Sequence, residues 1–245
     1  IYFYRDLGQI DIRNEIDWKE KQILLRAYFR VDIHTNEATY EIQYGNVKRP
    51  THYNTSWDEA RFEVCAHKWL DVSEDGYGIS VLNDCKYGCD VHNGRIGLTM
   101  LKSATYPNPD ADKEHHSFTW SLCPHSGRWQ ENQTVAKAYL LNNPYRAVVK
   151  QNDGGSLTKT YSAVSVNVPN VVIEVVKKAE DGEGTIIRMY ECWNRRSRFE
   201  LQLSEPAEHV YETNLLEEKQ EEIPVKENKV SLEIRPFEIK TLIVY

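Results

Sequence analysis

The chain has 245 residues, of which 27% are charged and 11% aromatic, and its formal net charge is -7. An isoelectric point near 5.7 argues against a nucleic-acid surface, because phosphate binding rests on clustered Lys and Arg. No apolar run reaches the roughly 18 residues that a bilayer span needs, and the 5 cysteines, odd in number and widely spread, read as reduced thiols of a cytosolic protein rather than as a disulfide scaffold.

The first residue is Ile1, and Tyr2, Phe3 and Tyr4 already read as strand, with no basic-then-apolar leader pattern before them. The expectation is a chain that starts inside a longer protein. Alternation of period two then places Ile10, Ile12, Ile16 and Trp18 on one face of an extended segment. Ala38, Tyr40, Ile42 and Tyr44 share a second such face, with Thr39, Glu41 and Gln43 opposite, which predicts a half-buried strand. The pattern recurs in Phe62, Val64 and Ala66, and again in Tyr77, Ile79 and Val81. Strands are expected to follow one another without intervening helices.

Turn chemistry agrees. Glu74-Asp75-Gly76 and His92-Asn93-Gly94-Arg95 tolerate positive φ, so residues 90–101 are predicted to form a hairpin. Further on, the Glu180-Asp181-Gly182-Glu183-Gly184 segment separates two apolar runs, 171–176 and 186–190, as a second hairpin. Phe199, Leu201 and Leu203 alternate, as do Val230, Leu232 and Ile234, and the apolar run 242–245 reads as a final strand. The charge run 217–222 is expected to be a solvated connection. Asn142-Asn143-Pro144 and Asn152-Asp153-Gly154-Gly155-Ser156 suit an exposed crossing. The reading is therefore all-β: a large antiparallel sandwich over residues 1–145, a crossing at 146–164, and a small sandwich at 165–245.

Signals for chemistry are sparse. His115, His116, Cys123 and His125 form a tempting ligand set, but if 117–122 is a strand then Cys123 and His125 share a face while His115 and His116 point oppositely, and no metal site is assigned. Cys85 and Cys89 are spaced more widely than a redox pair. No G-x-S-x-G elbow, Walker loop, dinucleotide fingerprint or H-E-x-x-H occurs. Paired carboxylates hydrolyse glycosides, yet the spacing of Asp84, Asp90, Asp110 and Asp112 does not pair them. Two triplets, at Asn54 and Asn132, match a glycosylation sequon and carry no assignment. Trp57, Trp69, Trp120, Trp129 and Tyr106 fall near segment ends where a ring can stack on a sugar, although core packing is the favoured role for each.

Several stretches together resemble the carboxyl-terminal half of family 38 glycoside hydrolases, in the bacterial and cytosolic α-mannosidase branch. They are Tyr40-Glu41-Ile42-Gln43-Tyr44-Gly45 leading to Arg49-Pro50-Thr51-His52-Tyr53-Asn54-Thr55-Ser56-Trp57-Asp58, then Tyr77-Gly78-Ile79-Ser80-Val81-Leu82-Asn83-Asp84-Cys85-Lys86-Tyr87-Gly88. Thr105-Tyr106-Pro107-Asn108-Pro109-Asp110, Phe118-Thr119-Trp120 and Pro124-His125-Ser126-Gly127 continue the series, and Arg235-Pro236-Phe237-Glu238 lies near its end.

The resemblance implies a large supersandwich of the galactose-mutarotase type followed by a small terminal sandwich. It also implies a parent enzyme that removes α-linked mannose with an aspartate nucleophile and a divalent ion, zinc or cobalt. Those groups lie in the family's amino-terminal domain, which carries an H-x-D signature. None of the 8 histidines here has Asp two positions later, so neither catalytic residues nor metal ligands are assigned to this chain, and no cofactor of its own is expected. Its implied partners are that catalytic domain and the α-mannoside, with homo-oligomers open for the intact enzyme. The residues expected at the rim of the substrate cleft are His52, Asn54 and Trp57, then Asn83, Asp84, Lys86 and Tyr87, then Tyr106 and Asn108. A free-standing lectin-like sandwich is the alternative.

Overall fold

The computed structural model describes residues 1–149, 154 and 160–245; much of the expected crossing at 146–164 lies outside them. The chain divides into two compact units, Ile1–Ala147 and Val148–Tyr245.

The first unit runs β1 (Tyr2–Phe3), β2 (Ile10–Asp17), β3 (Leu25–Arg30), β4 (Glu37–Ile42), β5 (Gly45–Pro50), α1 (Ser56–Ala60), β6 (Val64–Cys65), β7 (Trp69–Glu74), β8 (Tyr77–Asn83), β9 (Gly88–His92), β10 (Arg95–Leu101), β11 (His115–Ser126) and α2 (Thr134–Asn142). A seven-stranded antiparallel sheet, β1-β2-β11-β8-β7-β4-β5, faces a four-stranded one, β3-β10-β9-β6. Their shared core takes Tyr40, Leu70, Val72, Val81 and Phe118 from the large sheet, and Val91, Ile96 and Leu98 from the small one. Each such side chain contributes about 1.5–3 kcal/mol by leaving water. The Asn93-Gly94 turn closes the expected β9–β10 hairpin with both residues at positive φ, 47° and 70°. That is the backbone twist a two-residue hairpin requires.

Three local expectations fail in this unit. Tyr44 is not in the strand with Ala38 and Tyr40, because it occupies the β4–β5 turn at φ 54°. Strand β4 is buried on both faces, since Glu41 on the face opposite Tyr40 is covered and held by Lys68. Phe62 is exposed and the strand there shrinks to Val64–Cys65.

Helices also intervene, against expectation. Helix α2 lies against β7 and β8, with Thr134 Oγ1 2.7 Å from Ser80 Oγ and Asn142 Nδ2 donating to the carbonyl of Asn83 at 3.0 Å. Just ahead of it, the Trp129 ring packs on Trp69 with centroids 4.7 Å apart. The outward face of the large sheet is thereby sealed over Asp71, Ser80 and His125.

The second unit contains β12 (Val164–Val166), β13 (Val171–Lys178), β14 (Thr185–Glu191), β15 (Ser197–Leu203), β16 (Val210–Thr213), β17 (Lys219–Glu222), β18 (Val225–Lys226), β19 (Lys229–Ile234) and β20 (Ile239–Val244). Sheet β12-β15-β19-β18 packs on sheet β13-β14-β20-β16-β17. Phe199, Leu201, Leu232 and Ile234 meet Ile187, Met189, Val210 and Leu242 between them. The expected β13–β14 hairpin forms, with Gly182 and Gly184 at φ 87° and 81°. The charge run is not simply a connection: Lys219–Glu222 is an exposed edge strand paired with β16, and a charged border of this kind discourages a further strand from adding. Glu217, just before it, is ion-paired to Lys177 at 2.7 Å and accepts the Glu180 backbone N–H, which ties down the β13–β14 turn.

Candidate functional site

The three stretches expected at a substrate rim are all connections. The first follows β5. Thr55 caps α1 reciprocally with Asp58: each side chain accepts the other's backbone N–H at 3.2 Å, an arrangement that satisfies donors a helix start leaves free. Trp57, on that helix, is 75% exposed, and Asn54 beside it is exposed as well. His52 is half-buried with Nδ1 3.8 Å from the Asp58 carboxylate. Between them, the Tyr53 ring stacks on His92 at 3.8 Å between centroids.

The second stretch joins β8 to β9 and is more committed to its own backbone. Asn83 is buried; its Nδ2 donates to the His67 carbonyl at 2.6 Å and its Oδ1 accepts the Lys86 N–H at 2.8 Å. Asp84 accepts the Thr119 N–H at 2.7 Å. Lys86 Nζ lies 4.5 Å from the centroid of the Phe118 ring. Tyr87 is left 45% exposed, with its ring edge-on to His67.

The third lies between β10 and β11. Tyr106 is 89% exposed, and Asn108 Oδ1 accepts the Asp110 N–H at 3.0 Å. Asp112 anchors this connection by accepting the Ser103 and Lys102 N–H groups at 2.9 and 3.0 Å, which hold its carboxyl below the usual range. Of the five aromatics weighed as sugar platforms, Trp69, Trp120 and Trp129 are core, and only Trp57 and Tyr106 present open rings.

Around these stretches lie polar residues whose partners alternation in the sequence does not reveal. Glu41 accepts both the backbone N–H and the ammonium of Lys68, at 2.5 and 2.7 Å. Asp90 lies buried between the guanidinium groups of Arg26 and Arg95, which flank the Tyr28 ring 4.9 and 4.7 Å from its centroid. Gly97 floors this cluster, where any Cβ would come within 2.4 Å of Asp90. Asp90, weighed above only as a carboxylate without a pair, and Tyr28 occupy outward positions of their strands, and alternation does not bring the two arginines to them.

The tempting histidines are dispersed. His115 faces Glu15 at 3.4 Å, His116 binds the Asp112 carbonyl at 2.8 Å, and His125 donates to buried Asp71 at 2.8 Å. Among the described residues no group of three or more His, Cys, Asp or Glu is placed to hold a metal ion. The four aspartates weighed as an acid–base set are each engaged elsewhere: Asp84 and Asp112 on backbone, Asp90 on arginines, Asp110 on Lys113 at 2.7 Å.

The thiols give a direct check on this packing. Burial pushes Cys89, Cys123 and Cys192 up to about 12; Cys85 is exposed, and desolvation followed by Asp84 pushes it up to about 11. Because the thiolate is the reactive form, a thiol reagent at mildly alkaline pH is expected to modify Cys65 first, Cys85 slowly, and the other three only in denaturant. Mass mapping of the labelled chain reads this order, and early labelling of Cys89 or Cys123 would contradict the described core.

The fold defines a class, an all-β chain of tandem antiparallel sandwich units. Residues 1–110 match the glycosyl hydrolases family 38 C-terminal domain, and residues 170–242 match that family's C-terminal β sandwich domain. The chain therefore belongs to glycosyl hydrolases family 38, in its C-terminal region. It is 39% identical over 240 residues to alpha-mannosidase G of Dictyostelium discoideum and 37% identical to alpha-mannosidase 2C1 of Homo sapiens. Those alignments cover 96% of this chain but only 22% and 23% of the relatives, so the chain spans less than a quarter of their length. A solved alpha-mannosidase from Enterococcus faecalis superposes with a TM-score of 0.83 at 20% identity, covering 99% of this chain and 28% of that one.

Proposed function

We propose that this chain is the non-catalytic C-terminal part of an α-mannosidase that removes terminal α-linked mannose, supporting the catalytic domain and lining the rim of its cleft. The observation that carries the reading is the identity of 39% and 37% to two alpha-mannosidases over nearly the whole chain. Nucleophile and divalent ion, zinc or cobalt, belong in this reading to the preceding domain, and the protein is cytoplasmic. The described residues offer no ligand cluster that fits such an ion, so no step of the reaction is assigned to it here. What this chain's residues contribute is shape and hydrogen bonding: open rings at Trp57 and Tyr106, and polar groups on connections that the sandwich holds rigid, as sugar binding demands.

The test is hydrolysis of a chromogenic α-mannoside, with zinc or cobalt supplied, by the 245-residue chain and by a form extended through the preceding coding region. Turnover is expected only in the extended form; turnover by the shorter chain would place a catalytic site within it. In the extended form, Trp57→Ala is expected to raise KM about three- to tenfold with kcat nearly constant, the signature of lost uniform binding. An unchanged KM would put Trp57 outside the cleft. The exposed rings also favour a second reading, a lectin-like site; calorimetry with methyl α-mannoside on the shorter chain decides it, since no heat removes that reading.

A further inference from the structure

We propose that the second unit carries an oxyanion site, built by Arg196 and Arg235 at the open end of the β15–β19 ladder and suited to inorganic phosphate or a phosphate monoester. Ser197 pairs with Ile234 in that ladder. One step beyond, the register sets Arg196 opposite Arg235, and both line one groove of about 580 Å³ with Arg198, Lys240, Glu233 and Glu238. Two like charges facing each other across a ladder repel.

The neighbouring carboxylates do not relieve that repulsion. Glu233 takes Arg198 at 2.6 Å. Glu238 accepts the Arg235 backbone N–H at 2.6 Å, and Lys240 is held by Glu212 at 2.7 Å and lies 3.9 Å from Glu238. Among the described residues neither the Arg196 nor the Arg235 guanidinium has a carboxylate partner. The pair stands on a chain whose net charge is -7.

The frame beneath the pair is rigid. Glu191, fully buried, accepts the Trp193 and Arg195 N–H groups at 2.7 and 3.2 Å from one turn and the Phe237 N–H at 3.1 Å from the other. Asn194 and Phe237, within those turns, sit at φ 61° and 56°. One carboxylate thus fixes the backbone of both arginine-bearing turns, which brings the two side chains to the same end of the ladder. A guanidinium fork matches the oxygens of phosphate in paired hydrogen bonds, as an ammonium does not.

Titration calorimetry at constant ionic strength, with inorganic phosphate and separately with a hexose 6-phosphate, tests the site. Saturable binding of at least one is expected, and the stronger arm identifies the source of the oxyanion. Arg196→Gln or Arg235→Gln should weaken it about tenfold, and Arg196→Lys less so, because charge remains while the fork is lost. Arg13→Gln, on the first unit, should leave it unchanged. The side chains of Arg196 and Arg235 are exposed, so these variants are expected to fold, which far-ultraviolet circular dichroism checks. The proposal is overturned by no saturation up to about 20 mM of either probe, a weakness beyond useful site affinities. It is equally overturned by binding that survives both Gln substitutions, or by equal heats from chloride.

Discussion

Asp71→Ala is expected to destabilise the first unit by about 4 kcal/mol, because it strips a buried carboxylate from three donors at once. Asp71 accepts Ser73 Oγ at 2.5 Å, Ser80 Oγ at 2.7 Å and His125 Nε2 at 2.8 Å. A carboxylate cannot donate, so His125 must present its proton at Nε2; its Nδ1 is buried without a partner. Removing Asp71 leaves the imidazole with no partner at either nitrogen and opens a void beneath α2. Asp71→Asn keeps the volume but turns an amide donor toward other donors, and is expected to cost about half as much. Gly78→Ala reaches the same network by force, since a Cβ there would lie 2.2 Å from Ser73 Oγ and 2.5 Å from the His125 ring. Urea unfolding followed by tryptophan fluorescence reads all three, with Trp69 and Trp129 close by. A loss under about 1 kcal/mol for Asp71→Ala would mean that water replaces the carboxylate without penalty.

Glu191→Ala is expected to have an effect of similar size in the second unit, on the order of 4 kcal/mol. Besides the three backbone donors already described, Glu191 accepts Asn170 Nδ2 at 2.9 Å. It is also what over-determines Phe237, whose left-handed backbone is a strained state for a bulky residue. With the carboxylate gone, the donors lose their acceptor together and the strain at Phe237 has nothing to oppose its release. Glu191→Gln should recover part of the loss, as one oxygen still accepts. Measured by thermal unfolding, equal stability of wild type and Glu191→Ala would show that the two turns hold their shape unaided.

These two carboxylates also mark the limit of what alternation reveals. Asn93-Gly94, Gly182 and Gly184 announce their hairpins because few other residues adopt those φ values. Phe199, Leu201 and Leu203 announce an inward face because nothing polar interrupts them. Asp71, Glu41 and Glu191 also read as polar, and a polar residue beside apolar neighbours looks solvent-facing until some other element covers it. Lys68 and Glu41 neutralise each other only once β4 and β7 are paired, a contact far apart in sequence. Of the expected rim residues, Trp57 and Tyr106 are open to solvent, whereas Asn83 and Asp84 serve the chain's own backbone. Pattern alone does not separate those outcomes, since Asn and Asp in a turn serve either purpose.

Helix α2 shows a different dependence. It spans 9 residues, starts at Gln133 in a left-handed conformation, and has no side-chain cap bond. An isolated helix of that length is below what nucleation allows in water. Its helicity is therefore on loan from the sheet: Trp129, Thr134 and Ala138 adopt their turns because β7 and β8 are already there to receive them. A synthetic peptide of residues 129–143 should be a coil by circular dichroism. In the chain, amide exchange along α2 should follow the opening of β8 rather than fraying from the helix's own ends, so that this short segment acts as a gauge of whether the large sheet is whole.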